Sequence, residues 1–528
     1  MITLLVDKLD NDYRGAYRTR IVTPGFEEDK HYEGWHRSNT EQINLFSESN
    51  FFSIKNVEDF DSATDANPFY VISMTGGDSW EPKSNDTSIW SKIPQTSKNY
   101  ILQHNISILI FYPFETTSGL NSNKKFANFI KEKDKNGFKN IKTIIFSLSN
   151  FNDYYGNPKF GSYTDHNVYY VSSSLFFDKM KRELTSDKFA NQFCNNDEVN
   201  SNLNLKKYDF LCLNHIARPN RQLLSQALYR DDSLWNNNLI SVLIFPEKKS
   251  EVRLRFIENF CSFVETEKKL IKDSRINDFF RFYKQGNGFK RLFDKLKNMS
   301  HDPKLTEQDL INELFSDYQN LKDSKFLNFV CQHIAGIMYK GVYPVRTMKT
   351  EQELGTGKRA CATTKLNMSW DKEWYKETWF SLITETYAEE QKINRTDEPA
   401  FAGSELTEKT TKPIANFHPF IIFGSSGATK KLETLGFKTF NKSLLGIPDD
   451  FEEGNIATTE RLMNLIEGLK RFEAKTYDEK QKILTSIKPD IEHNYYHLLN
   501  TDWIKVVHDD LLNQNLPLLP IDHEEMID

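Results

Sequence analysis

A series of short, unbroken apolar runs restricts this chain more than any other feature. PFYVIS at 68–73, ISILIFY at 106–112, KTIIFSL at 142–148 and NVYYVS at 167–172 form a first set. KKYDFLCLN at 206–214, LISVLIF at 239–245, WFSLITET at 379–386 and FIIF at 420–423 form a second. A strand with one wet face alternates apolar and polar residues, whereas an unbroken run marks a strand covered on both faces. Helical patterns lie between several of the runs, at 125–135 and 219–229. Strand, helix, strand in repetition predicts a parallel sheet with helices on both sides, the α/β class.

At 528 residues the chain is too long for one core, so two or three domains are expected. The boundaries read as an N-terminal α/β domain over 1–205 and a second α/β domain over 206–250 and 341–455. A helical insertion over 251–340 interrupts the second, and C-terminal helices occupy 456–528. Residues 1 to about 65 show no clear period and read as short strands and loops. Net charge of −6 gives no global attraction to nucleic acid or anionic membrane. The basic, aromatic stretch at 279–297 suits nucleic acid locally, although a solvated helix-bundle face accounts for it better. Five cysteines, far apart and in no metal-ligand spacing, argue for a reducing compartment and against a disulfide framework or zinc site. The apolar run in MITLLVDKLD is too short for a signal peptide, and no stretch reaches bilayer length. A soluble chain in the cytoplasm is expected.

Two places suit an anion. In ELTEKTTKPIANFHPFIIFGSSGATKKLETLGFKTF (405–440), Thr407 can cap a helix carrying Glu408 and Lys409, with Pro413 interrupting it early. On its own this is a capped helix with a solvated lysine. The strand at 420–423 adds weight, because it ends in a turn of small residues, Gly424, Ser425, Ser426 and Gly427, able to present backbone N–H groups to a phosphate. A carboxylate at such a place can bond a ribose diol, and a neighbouring ammonium can neutralise a diphosphate. The second place is NHIARPNR (214–221), where Arg218 and Arg221 stand at the start of a helix. Cations there oppose the helix dipole, which fits a bound anion; the alternative is pairing with nearby acids such as Asp231.

The pair of motifs resembles the donor site of α-1,3-fucosyltransferases and related inverting glycosyltransferases. The fuller pattern (YDFLCLN, SLITET, LTEK through GFKTF) is similar to glycosyltransferases of large-genome phages and marine viruses. It covers 206–245 and 379–440, is faint before 206, and is absent across the insertion. The resemblance implies two Rossmann-like domains facing across a cleft, the GT-B arrangement. It implies metal-independent, inverting transfer from a UDP- or GDP-type sugar to a saccharide or other hydroxyl acceptor, with no further cofactor. By it Arg221 and Lys409 hold the diphosphate and Glu408 the ribose. Arg218 assists, and Thr407 and the turn Ser425, Ser426, Gly427 complete the donor site. Where the family carries an aromatic before the glutamate, this chain has Glu405.

Glu115, just past a strand end, is the candidate general base, with a solvated loop glutamate as the alternative. Glu385, ending SLITET, stands ready to orient Lys409 or a sugar hydroxyl. Asp59-Phe60-Asp61 has the form of a metal-binding DxD that arises readily by chance. His493 and His497, one helical turn apart, read as surface histidines, and His418 as structural. The glycines at 286–288 and 355–358 lack a P-loop's context. Two other functions fit the same pattern: transfer of sugar to a DNA base, and a non-catalytic sugar-binding or structural viral protein.

Overall fold

A computed structural model describes residues 1–7, 46, 49–73, 88–90, 93–112, 123–147, 167–187, 193–201, 203–214, 219–242, 306–314, 323–340, 342, 372–385, 406–424, 427–448 and 458–513, with scattered positions over 253–275. The first half builds β1 (Ile2–Val6), β2 (Phe52–Asn56), β3 (Pro68–Ser73), α1 (Gln95–His104), β4 (Ser107–Tyr112), α2 (Asn123–Lys135), β5 (Thr143–Ser147), β6 (Val168–Ser172), α3 (Leu175–Leu184) and α4 (Asn196–Asn200). Its six strands are parallel, in the order β2-β1-β3-β4-β5-β6.

Strand period explains why these runs are apolar throughout. Leu5, Tyr70, Ile72, Ile108, Ile110 and Ile145 face one core with Ile101, Phe129 and Ile130 of α1 and α2. Their neighbours Ile2, Leu4, Phe69, Val71, Leu109, Phe111, Ile144 and Phe146 face the other. β1 and β2 are short strands of the kind expected over 1–65; the pattern did not place β1, whose ITLLV is buried inside the sheet between β2 and β3.

The second half adds β7 (Tyr208–Leu213), α5 (Pro219–Arg230), α6 (Asp232–Asn236), β8 (Leu239–Ser241), α7 (Glu307–Leu314), α8 (Lys325–Tyr339), α9 (Lys372–Glu377), β9 (Thr378–Thr384), α10 (Glu408–Ala415), β10 (Phe420–Phe423) and α11 (Ala428–Thr434). These four strands are also parallel, ordered β10-β9-β7-β8. The chain closes with α12 (Thr458–Glu473), α13 (Tyr477–Asn500) and α14 (Trp503–Asn513). Buried residues of α7 and α8, among them Leu310, Leu327, Val330 and Ile334, join the same core as Phe210, Phe380 and Ile421. The stretch 279–297 and the glycines at 286–288 and 355–358 lie outside the described residues.

The C-terminal helices tie the halves together. Ile504, Val507 and Leu511 of α14 cover one face of the first sheet. Trp503 stacks on Phe177 of α3 at 4.9 Å and on Phe437 at 5.7 Å, inside the second core. Cys194, Cys212, Cys261 and Cys331 are free and buried. No helix among the described residues is long and apolar enough to cross a membrane.

The histidines fall where structure uses them. The Nε2–H of His493 donates to the carbonyl of Gly436 at 2.8 Å, and that of His497 to Leu435 at 2.6 Å, so both clasp the end of α11. Gly436 has φ +93°, and a Cβ there would come within 2.6 Å of the His497 Nε2. Gly436→Ala therefore meets both a strained backbone and a clash; a loss of about 2 kcal/mol or more is expected in urea unfolding, and an unchanged midpoint would refute it. His418 stands at the amino edge of the second sheet, taking a hydrogen bond from Ser381 and giving one to the Thr378 carbonyl at 3.0 Å. Burial, with Lys206 nearby, pushes its pKa well below the usual value. Asp59 accepts from the Asn56 amide, while Asp61 accepts from the Ala63 N–H and the Thr64 hydroxyl, so the DFD acids serve turns.

Candidate functional site

In the second sheet β8 lies on one side of β7 and β9 on the other, so the chain reverses its direction of growth between β7 and β9. A crevice opens at the carboxyl ends of two such strands, and open α/β sheets bind their ligands there. Asn214 follows β7 and Glu385 follows β9, and the Thr384 hydroxyl donates to Asn214 Oδ1 across the gap.

Glu385 organises this edge. Wholly buried, its carboxylate accepts from the Thr407 N–H at 3.0 Å, the Thr407 hydroxyl at 2.7 Å and the Thr410 hydroxyl at 2.6 Å. A carboxylate beside the first turn of α10 also complements the positive helix end. Thr407 is the N-cap: its Oγ1 accepts from the Lys409 N–H at 3.3 Å and the Lys409 Nζ at 2.9 Å. Lys409 Nζ stands 3.2 Å from Glu408 and 3.8 Å from Glu385. Glu385 and Thr407 are thus engaged with one another, and they set the position of Lys409 rather than reaching outward. The helix runs on through Pro413 to Ala415, two residues past the proline.

Glu408 and Lys412 share the first turns of α10. Burial pushes the Glu408 carboxyl up, but Lys409 and Lys412 outweigh it and hold the pKa at about 2. Burial brings Lys412 down to about 8, against the pull of Glu408. On the neighbouring α3, burial lifts Glu183 to about 7, with Lys179 and Lys412 opposing. At neutral pH Glu408 is an ionised acceptor at a helix start, the state needed to accept from a pair of hydroxyls.

The arginine motif comes to the same edge. Asn220, in the first turn of α5, donates to the main-chain carbonyl of Glu385 at 3.0 Å, which fastens the start of α5 to the end of β9. Arg221 is buried. Asp231, the acid that offered an alternative partner, follows the far end of α5. There it caps α6 and pairs with Lys470 at 2.7 Å. Gly424 lies close against Glu385: a Cβ on it would stand 3.1 Å from the Glu385 Cβ, a tighter contact than side chains usually make. Gly427, at φ +82°, opens α11. Arg218, Ser425, Ser426 and Glu115 lie outside the described residues.

Two further features carry no sequence signal. Arg461 of α12 is buried, donates to the Gly424 carbonyl at 2.6 Å and lies 6.0 Å over the Phe423 ring. Buried polar atoms also stand without hydrogen-bond partners here: Asn220 Oδ1, with Asn220 fully buried, and Thr429 Oγ1, with Thr429 1% exposed. Native proteins rarely leave such atoms unsatisfied, and a ligand is one resolution. Thr410 and Asn220 were the other unread members. Thr410 lies one helical turn from the cap and so shares its face.

The result is an α/β protein with two parallel sheets, in which Glu385, Thr407, Lys409, Asn220 and Arg461 gather at the carboxyl edge of the second. Compared with known protein families, with curated proteins and with solved structures, the chain matches none.

Proposed function

We propose that this edge binds a nucleoside-diphosphate sugar and that the protein transfers the sugar to a hydroxyl acceptor with inversion. The observation carrying the reading is the convergence on Glu385 and Gly424. Asn220 of α5 and the Thr407 cap of α10 both hydrogen-bond to Glu385, Lys409 Nζ stands 3.8 Å from it, and Arg461 of α12 donates to the Gly424 carbonyl; Arg221 follows Asn220 in the chain. Helix amino ends and guanidinium forks together make a pyrophosphate site. In the reaction the acceptor oxygen bonds to the sugar's anomeric carbon as the bond to the diphosphate breaks. The electron pair leaves on the diphosphate, and the acceptor's proton passes to a base. Arg221 and Lys409 meet the charge that develops on the leaving group, the electrostatic contribution that usually dominates. They do so without calling on a metal ion. Glu408, held ionised, takes the ribose hydroxyls. On this reading the two parallel sheets are Rossmann-like domains of a GT-B enzyme.

The test is turnover. Incubation with a panel of UDP and GDP sugars and mixed saccharide acceptors should release nucleoside diphosphate, and Lys409→Ala should suppress that release. A panel from which the wild type releases none contradicts the reading.

A further inference from the structure

α3 belongs by sequence to the first half, yet it packs on α10 of the second, as well as on α13 and α14. Its last turn carries an acid, Glu183, where a negative charge opposes the helix dipole. Glu183 Oε2 is buried there and has no hydrogen-bond partner. Among the described residues, the charges that face it are Lys179, one turn back on the same helix, and Lys412 of α10. Lys412 in turn faces Glu408 and Lys409, so the cluster runs from α3 to the start of α10. On the side of α13 and α14 the partners differ. Asp502, just before α14, faces Asp178, which pairs with Arg182 at 2.7 Å. The Thr501 carbonyl, just past α13, accepts from Lys181 Nζ at 2.8 Å.

We propose that Glu183 is a proton-operated latch between the halves: carrying its proton it lets α3 seat against α10, and without it the pair loosens. The cause is the unpartnered oxygen. A neutral carboxyl loses little on burial, whereas a buried carboxylate needs donors that Oε2 does not have. Lys179 and Lys412 supply part of that need, but burial outweighs them and lifts the group from 4.5 to about 7. An acid raised on folding lends stability that is full below its unfolded value and is lost as pH climbs through its folded one. Burial brings Lys412 only to about 8, and Glu408 stands at about 2. Of these three groups it is Glu183 that changes charge on the way to neutral pH. Because α10 carries Lys409 in its first turn, a loosened α10 disturbs the edge described above. The latch itself does not depend on what that edge binds.

Hydrogen exchange at about pH 5.5 and about pH 7.5, corrected for the intrinsic rate, tests this. In the wild type the amides of α3 and α10 should lose about tenfold in protection across that interval, while those of β4 and β5 keep theirs. Glu183→Gln, matched in size to the neutral carboxyl, should hold the protection of both helices at both pH values. Asp178→Asn removes the other raised acid of α3 and should leave the wild-type fall in place. That variant keeps the test open if Glu183→Gln does not fold. Wild-type protection that is the same at both pH values overturns the latch. So does a fall that survives Glu183→Gln, or one that Asp178→Asn abolishes. None of these results bears on the donor reading, which nucleotide-sugar turnover decides.

Discussion

Glu385→Ala should cost about 3–5 kcal/mol of stability, the range for breaking a buried charged partnership. The carboxylate is wholly buried and receives one backbone N–H and two threonine hydroxyls, all of which would be left without an acceptor. Removing the charge also strips the amino end of α10 of its countercharge. Glu385→Gln keeps the volume but turns one acceptor into a donor facing hydroxyls, and should lose roughly half as much. Urea unfolding followed by tryptophan fluorescence measures both. A loss under about 1 kcal/mol for the alanine variant would mean that Glu385 does not organise this edge.

The second large effect falls on binding. Arg221→Ala and Lys409→Ala should each weaken UDP or GDP binding about 10- to 100-fold, the worth of a charge-assisted hydrogen bond at 1.4 kcal/mol per decade. Both should also lower the unfolding midpoint. Removing Lys409 leaves Glu408 with Lys412 alone to offset its burial and takes a donor from Thr407. Arg221 is buried within α5, so its removal opens a cavity. Affinity is therefore measured on protein shown to be folded by its unfolding curve.

How far the chain announced this structure depends on what each segment had to satisfy. Strands such as β4 and β5 are covered on both faces, and that alone forces the unbroken apolar run that reveals them. β1 obeys the same rule, but it stands in a stretch without clear period, where only short strands and loops could be expected and not its place inside the sheet. The Thr407 cap was readable because capping chemistry is local, and Gly424 because a turn after a strand wants glycine. The role of Glu385 was readable only in part, as a group able to orient Lys409. Its position past β9 is plain in the sequence, but three donors arriving from residues 407 and 410 are a tertiary fact. Arg461 is further still from sequence logic, since it meets Gly424 across 37 residues with no periodic cue. The arginines at 218 and 221 stood out by opposing a helix dipole, a conflict that a bound anion resolves.

The central claim is that Arg221 and Lys409 act on one pyrophosphate, and a double-mutant cycle on UDP or GDP affinity tests it most directly. Two cations gripping one ligand should couple, so the doubly substituted protein should lose less than the sum of the single losses, with a coupling of about 1 kcal/mol or more. Strictly additive losses, or a nucleoside diphosphate that binds all four proteins alike, would contradict the account.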